Sequence, residues 1–129
     1  AMTALFGQVV ITEVGAVDRS ITVTDDRAPD QIFYMIPRRD ELVLGGCSLV
    51  WPPGAPAHID PDITNRILAQ ARALGLPIGE VKRVRAGLRP YRHEVRLERT
   101  GRIIHNYGHG GAGYTLSRGC ANAVVRLVG

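Results

Sequence analysis

The sequence is short of cysteine, lysine, aromatic residues and long apolar runs, and each shortage narrows what the chain can be. Cys47 and Cys120 are its only cysteines. Two are too few for a disulfide scaffold, so a reduced, cytoplasmic setting is expected. No stretch approaches the run of about 20 apolar residues that a membrane span needs, and no basic-then-apolar leader opens the chain. No membrane partner is expected. A chain of 129 residues has room for one ordinary domain with its own core, and not for a complete large cofactor enzyme. Apolar residues make up 45% of it, which suits a soluble globular protein and argues against disorder.

The charge is uneven. The net charge is +4, and of 16 basic residues all but Lys82 are arginines. Residues 82–102 hold eight basic residues (Lys82, Arg83, Arg85, Arg89, Arg92, Arg96, Arg99 and Arg102) against Glu94 and Glu98, so this stretch carries +6 and the rest of the chain −2. Three readings of the stripe are open: a nucleic-acid surface, a sheet presenting arginines to a carboxylate or phosphate, or a solvated edge that discourages aggregation. Tyr91 is its only aromatic residue, which disfavours nucleic acid. The planar guanidinium fork suits carboxylates better than an ammonium does.

Hydrophobic periodicity places the elements. Residues 6–14, 20–24, 31–37 and 42–49 read as strands, and 51–57 as an irregular proline-rich link. Gly45 and Gly46, inside a strand-forming run, suggest a bulge or a place where something packs against the backbone. The period then changes. Asp60 is a good N-cap, Pro61 suits the first helical position, Ile63, Ile67, Ala71 and Leu74 recur at helical spacing, and Gly75 can close the helix. Residues 80–89, 93–99 and 102–107 read as three further strands, 108–113 as a glycine-rich loop, and about 115–127 as a helix with Leu116, Cys120, Val124 and Leu127 on one face. The fold class expected is α+β: a mixed, largely antiparallel sheet with two flanking helices.

Residues 108–113, Gly-His-Gly-Gly-Ala-Gly, match G-x-G-x-x-G letter for letter. A dinucleotide site also needs a second strand with an acidic residue about 20 positions on. Only 16 residues follow Gly113 and none is acidic, so that fingerprint fails. Two readings remain: a helix-N-terminal loop whose amides cradle an anion or a flat ligand, or a tight turn in which glycine supplies positive φ. His105 and His109 fall on a strand and a loop rather than on one helix face, so no metal site is expected. No nucleophile–base set marks a catalytic residue.

Longer motifs speak more specifically. Gly87-Leu88-Arg89-Pro90-Tyr91-Arg92, Val95-Arg96-Leu97-Glu98, Ile104 through Leu116, and Gly119-Cys120-Ala121 together resemble the C-terminal part of the D-amino-acid oxidase family of FAD-dependent oxidoreductases. Upstream, Gly7-Gln8-Val9, Tyr34-Met35-Ile36-Pro37 and Leu44-Gly45-Gly46 fit the same family. The resemblance covers nearly the whole chain and only the latter part of a family member.

The resemblance implies a substrate-binding fold in residues 1–101, with 102–129 supplying a strand, glycine-rich loop and helix that complete a flavin-binding domain. It implies that Arg89 clamps a substrate carboxylate, that Tyr34 donates its hydroxyl to the same group, and that the Gly111 carbonyl accepts from the substrate amine. Gly110, Gly111, Gly113, Tyr114 and Thr115 are implied to contact the flavin of FAD. Asp30 stands where vertebrate members carry a lid tyrosine, and Ala112 where the family often has an aromatic residue. Amine oxidation by a flavin is a hydride transfer carried by the cofactor, so the protein needs to hold substrate rather than supply a strong base.

The flavin half of such an enzyme has no counterpart in the sequence. The expected function is therefore the substrate-binding part of an amino-acid or amine oxidase whose FAD-binding half is another polypeptide. A repurposed, flavin-free protein that binds a small carboxylate is the alternative, and an excised fragment the third reading. Ala1-Met2 reads as a cloning scar before a native start, which disfavours the fragment. A flavin-domain partner or a homo-oligomer is expected, with a small carboxylate or amino acid as ligand and no nucleic acid.

Overall fold

A computed structural model describes residues 1–18, 22–27 and 32–129. The elements run β1 (Thr3–Thr12), β2 (Val23–Asp25), β3 (Phe33–Pro37), β4 (Leu42–Gly45), β5 (Leu49–Trp51), α1 (Pro61–Ala73), β6 (Val81–Thr100), β7 (Ile103–His109) and α2 (Gly113–Val128). Hydrogen-bonded neighbours follow the order β2-β3-β4-β1-β6-β7, with β5 pairing to β1. The fold is α+β with an antiparallel sheet and two helices, as expected. Among the described residues no helix is long and apolar enough to cross a membrane.

The chain divides into two compact units. The core unit comprises Phe6–Leu49 and Pro56–Gly87, and the hairpin unit Ala1–Leu5, Val50–Ala55 and Leu88–Gly129.

In the core unit the register explains the packing. Val10 pairs with Leu44, Leu44 with Met35, and Met35 with Val23, so one cross-strand row runs through four strands. Strand side chains alternate between faces, and this row shares its face with Phe33 and Leu42. Val10, Phe33, Met35, Leu42 and Leu44 are buried together with Ile67 and Ala71 of α1. Each fully buried side chain of this size contributes roughly 1.5–3 kcal/mol by leaving water.

The ends of α1 follow the sequence signals. The Asp60 carboxylate accepts from the Asp62 amide at 2.8 Å and the Ile63 amide at 3.4 Å, and Pro61 occupies the first turn. At the other end Gly75, at φ +68°, donates to the Arg72 carbonyl, and the Leu76 amide donates to the Ala71 carbonyl. These two bonds form a Schellman closure. Gln8, fully buried on β1, fastens the helix start: its amide donates to the Asp60 carbonyl and to Thr64 Oγ1, and accepts from the Asp60 amide, each at 2.8 Å.

Several boundaries differ from the expected ones. The reading of 80–89 and 93–99 as two strands is corrected to one continuous β6. Pro90 suggested a break, but its carbonyl still accepts from the Gly110 amide at 2.8 Å, and the irregularity is absorbed as a register shift between Tyr91 and Arg96. The run 42–49 is two elements, β4 and β5. The loop 108–113 shrinks because β7 continues through His109 and α2 begins at Gly113. Part of the strand expected over 20–24, and Asp30 at the lid position, lie outside the described residues.

Candidate functional site

Arg89 lies half-buried on β6 in the hairpin unit. It lines a cavity of about 460 Å³ with its neighbours Leu88 and Pro90, with Met2, Thr3 and Ala4 from the chain start, and with Val50, Trp51 and Pro53. The bend at 51–55 holds the Trp51 wall in place: its indole N–H donates to the Ala55 carbonyl at 3.2 Å, and the Ala55 amide donates to the Pro52 carbonyl at 3.2 Å. The cavity falls in the size range of small-molecule sites, about 300–1,000 Å³. Among the described residues Arg89 is the one charged side chain that lines it. A guanidinium fork against apolar walls suits a carboxylate on an apolar body, because Coulomb attraction strengthens as water is excluded.

The glycine-rich segment reaches the same unit from the other strand of the hairpin. Gly108 is buried at φ +96°, and a Cβ there would stand 2.7 Å from the Arg92 Cδ, so Arg92 occupies space that only glycine leaves. Gly110, at φ +54°, sits against the Tyr91 ring. Its bond to Pro90 joins the loop to the residue after Arg89. The structure thus brings Arg89 on β6 near Gly110, in the turn that follows the adjoining β7. Gly111 faces open space, with no atom within 4 Å of where a Cβ would be.

Helix α2 begins without help. Ala112 at its N-cap offers no side-chain acceptor, no acid stands in the first turn, and the first intrahelical bond runs from the Leu116 amide to the Ala112 carbonyl at 3.0 Å. The amides of Gly113, Tyr114 and Thr115 therefore form the uncapped positive end of the helix, and the Thr115 hydroxyl adds a donor that can also accept. This donor set fits the carbonyl-bearing edge of a flavin ring.

Tyr34 belongs to the core unit. It pairs with Thr24 on one side and Gly45 on the other. Alternation turns it to the face opposite Phe33 and Met35. A Cβ on Gly45 would overlap the Tyr34 ring, and one on Gly46 would stand 2.7 Å from its Cε1. The close approach expected at these glycines is this ring. Arg66 of α1 reaches the same turn, donating to the Gly46 carbonyl at 2.8 Å while a second nitrogen donates to Gln70.

Much of the basic stripe is engaged in the fold. In the core unit Arg83 forms a two-pronged pair with Glu41, at 2.6 and 2.7 Å, and Lys82 donates to the Asp40 carbonyl. In the hairpin unit Arg96 bonds Glu98 at 2.6 Å and the Tyr107 hydroxyl at 3.1 Å, and Arg92 and Arg96 lie 5.7 and 5.9 Å from the centre of the Tyr107 ring. Arg99 donates to the Leu127 carbonyl at the end of α2, where a cation suits the helix dipole. The hydrogen bond from Arg96 holds the Glu98 carboxyl below the usual glutamate range, and that from Arg83 does the same for Glu41. Among the described residues no group of three or more His, Cys, Asp or Glu side chains is placed to hold a metal ion.

Residue-by-residue reading missed the cavity walls at Met2–Ala4 and Val50–Pro53. The lone tryptophan inside the proline-rich link was the available signal. It also missed Arg66, whose partner lies 20 positions away.

The family model described as FAD dependent oxidoreductase matches residues 1–127. Among curated proteins, the D-amino-acid oxidase of Dictyostelium discoideum is 36% identical over 130 residues, covering 95% of this chain and 36% of that protein. The D-amino-acid oxidase of Rubrobacter xylanophilus is 40% identical over 116 residues, covering 83% and 34%. The chain spans about a third of the length of these relatives. Glycine oxidase structures from Bacillus cereus and Geobacillus kaustophilus share the fold, with TM-scores of 0.76 and 0.77 over 99% and 98% of this chain, 36% and 35% of theirs, at 22% and 19% identity.

Proposed function

We propose, because this chain belongs to the FAD dependent oxidoreductase family that includes the D-amino-acid oxidases, that it is the substrate-binding part of an amino-acid or amine oxidase and works with a flavin-binding polypeptide. The observation that carries this reading is Arg89 in the wall of an apolar cavity, inside the Gly87-Leu88-Arg89-Pro90 motif. Arg89 binds the substrate carboxylate as a two-pronged ion pair, and the apolar walls take the apolar part of the substrate.

Gly110, Gly111, Gly113, Tyr114 and Thr115 hold one edge of the flavin through backbone amides and the Thr115 hydroxyl, and the Gly111 carbonyl accepts from the substrate amine. When bound, FAD supplies the hydride acceptor. Orientation is this chain's contribution to the rate: a fixed carboxylate and amine leave the α-hydrogen with little freedom. The apolar residues that the hairpin unit leaves exposed, among them Ile103, Tyr114 and Val125, support a polypeptide partner.

The second reading, a flavin-free carboxylate-binding protein, is favoured by one fact: every residue lining the cavity belongs to one unit of this chain. Calorimetric titration with small apolar carboxylates tests the shared element. Arg89→Ala is expected to abolish binding and Arg89→Lys to weaken it; unchanged affinity in Arg89→Ala sinks both readings. Co-expression with a flavin-domain polypeptide separates them. A yellow complex of both chains supports the oxidase, and a colourless chain that never co-purifies with that partner supports the binder.

A further inference from the structure

Outside the residues assigned so far, Cys120 and His109 meet. His109 is the last residue of β7, and Cys120 lies in the second turn of α2. Both are half-buried members of the hairpin unit. His109 Nε2 stands 3.4 Å from Cys120 Sγ, within the reach of a sulfur hydrogen bond. The chain context fixes this approach from both sides. Gly110 is anchored to Pro90, and the Ala112 amide donates to the His109 carbonyl at 3.0 Å, so the turn that carries the imidazole is closed by backbone bonds. The sulfur sits on the more covered side of α2, beside Val124 and Leu127, while residues 114–119 of the same helix are exposed. A small reagent can therefore reach the sulfur along the helix without unfolding it.

The other cysteine supplies the contrast. Cys47 is buried, 6% exposed, within the core unit. Neither cysteine is in a disulfide. Burial shields a thiol from reagents in solution, whereas a thiol with an adjacent proton acceptor and a path to solvent reacts through its thiolate.

We propose that Cys120 is a base-assisted thiol and a site of oxidation by small hydroperoxides, with His109 as its proton acceptor. With the ring proton on Nδ1, Nε2 accepts the thiol proton. The sulfur then attacks the near oxygen of hydrogen peroxide, the S–O bond forms and the O–O bond breaks. The departing hydroxide takes the proton from Nε2 and leaves as water. The sulfur loses two electrons to become a sulfenic acid, and the peroxide is reduced by the same two. The step needs no flavin and no partner, so it stands apart from the proposed oxidase function.

The test uses the full chain, hydrogen peroxide and dimedone, a carbon nucleophile that captures sulfenic acids, with peptide mass spectrometry as the readout. Adducts are expected on Cys120 well before Cys47. His109→Gln, which keeps a hydrogen-bonding side chain but cannot take up a proton, is expected to slow labelling of Cys120 by about tenfold or more. Equal labelling of the two cysteines overturns the proposal, as does an unchanged rate in His109→Gln. Should that variant fail to fold, alkylation of the wild-type chain by iodoacetamide decides: Cys120 is expected to be modified well before Cys47, and equal rates overturn the assignment.

Discussion

The core unit closes on itself and the hairpin unit does not. Among the described residues, every buried side chain larger than hydrogen lies within the core unit, and the only buried residue of the hairpin unit is Gly108. The core unit uses register: one face of β2, β3, β4 and β1 meets Ile67 and Ala71 of α1. The hairpin unit has apolar residues in quantity but leaves them out, with Tyr114 95%, Val125 70% and Ile103 62% exposed. The unit that carries the cavity, the uncapped helix and the thiol–imidazole pair is thus the one with the least packing of its own. Buried packing and the Arg89 cavity are separated along the chain, and the substitutions that separate them most sharply are in the core.

Phe33→Ala or Leu44→Ala removes a fully buried side chain and leaves a cavity. The expected loss is about 3–5 kcal/mol, read from urea unfolding midpoints, whereas Ile103→Ala on the exposed hairpin is expected to change stability by less than about 0.5 kcal/mol. A loss at Ile103 comparable to that at Phe33 would mean that the hairpin has a core of its own, and the comparison would fail.

A smaller effect is expected at the glycines. At Gly45 an added methyl has to displace the Tyr34 ring, while at Gly111 it meets nothing. Gly45→Ala is expected to cost about 1–3 kcal/mol, as overpacking does, and Gly111→Ala close to zero. In the double substitution Gly45→Ala with Tyr34→Ala, part of the cost should be recovered, since the two sites touch and their effects are not additive. Full additivity in that cycle would show that the cost arises in the backbone rather than in the ring.

How far the sequence could be read follows the same division. Helix α1 was legible at both ends because its signals are local: Asp60 and Pro61 at the start and Gly75 at the finish act on amides and carbonyls within a few residues. The glycine pair was legible as a close approach because a missing side chain inside a strand is a local anomaly. What occupies that space was not, since Tyr34 arrives from a neighbouring strand. The β6 strand misled for a physical reason: proline removes a donor, yet a carbonyl remains, and Gly110 uses it. Of the apolar stripe expected on α2, Cys120, Val124 and Leu127 are half-buried while Leu116 is exposed, and nothing in a periodic pattern says whether a surface exists to receive it. The Arg89 cavity was least legible. Its walls come from three segments far apart in the chain, and only the motif around Arg89 pointed there.

Helix starts give a third contrast, near 1 kcal/mol. Asp60→Ala removes the acceptor for two amides of α1 and is expected to cost about 1 kcal/mol. The converse experiment is Ala112→Asp at the uncapped start of α2. A negative charge beside the free amides should stabilise the helix by about 0.3–1 kcal/mol in a thermal melt at low salt. If Ala112→Asp has no effect on the melt, the amides of Gly113, Tyr114 and Thr115 already have acceptors, and the donor set assigned to a flavin edge is not free to serve it.

The smallest effects are those of exposed ion pairs, and here the two units should behave alike. Asp25 in the core unit is held at about 2, below its ordinary 3.8, chiefly by the hydrogen bond from the Arg27 side chain at 2.7–2.8 Å. Glu98 in the hairpin unit is lowered chiefly by its hydrogen bond from Arg96. A carboxyl whose folded value is depressed stabilises the fold above its unfolded value and loses that contribution as the pH falls through the folded one. For Asp25 the loss therefore runs from near 3.8 down to about 2, and for Glu98 from the ordinary glutamate value downward. Carbon-detected NMR titration should find both carboxyls ionised below their usual ranges. Raising the ionic strength should return both toward those ranges, because pairs open to solvent are screened. A Glu98 titration that ignores salt while that of Asp25 responds would mean that the hairpin pair is shielded from solvent, and that the unit with the exposed surface is covered in solution.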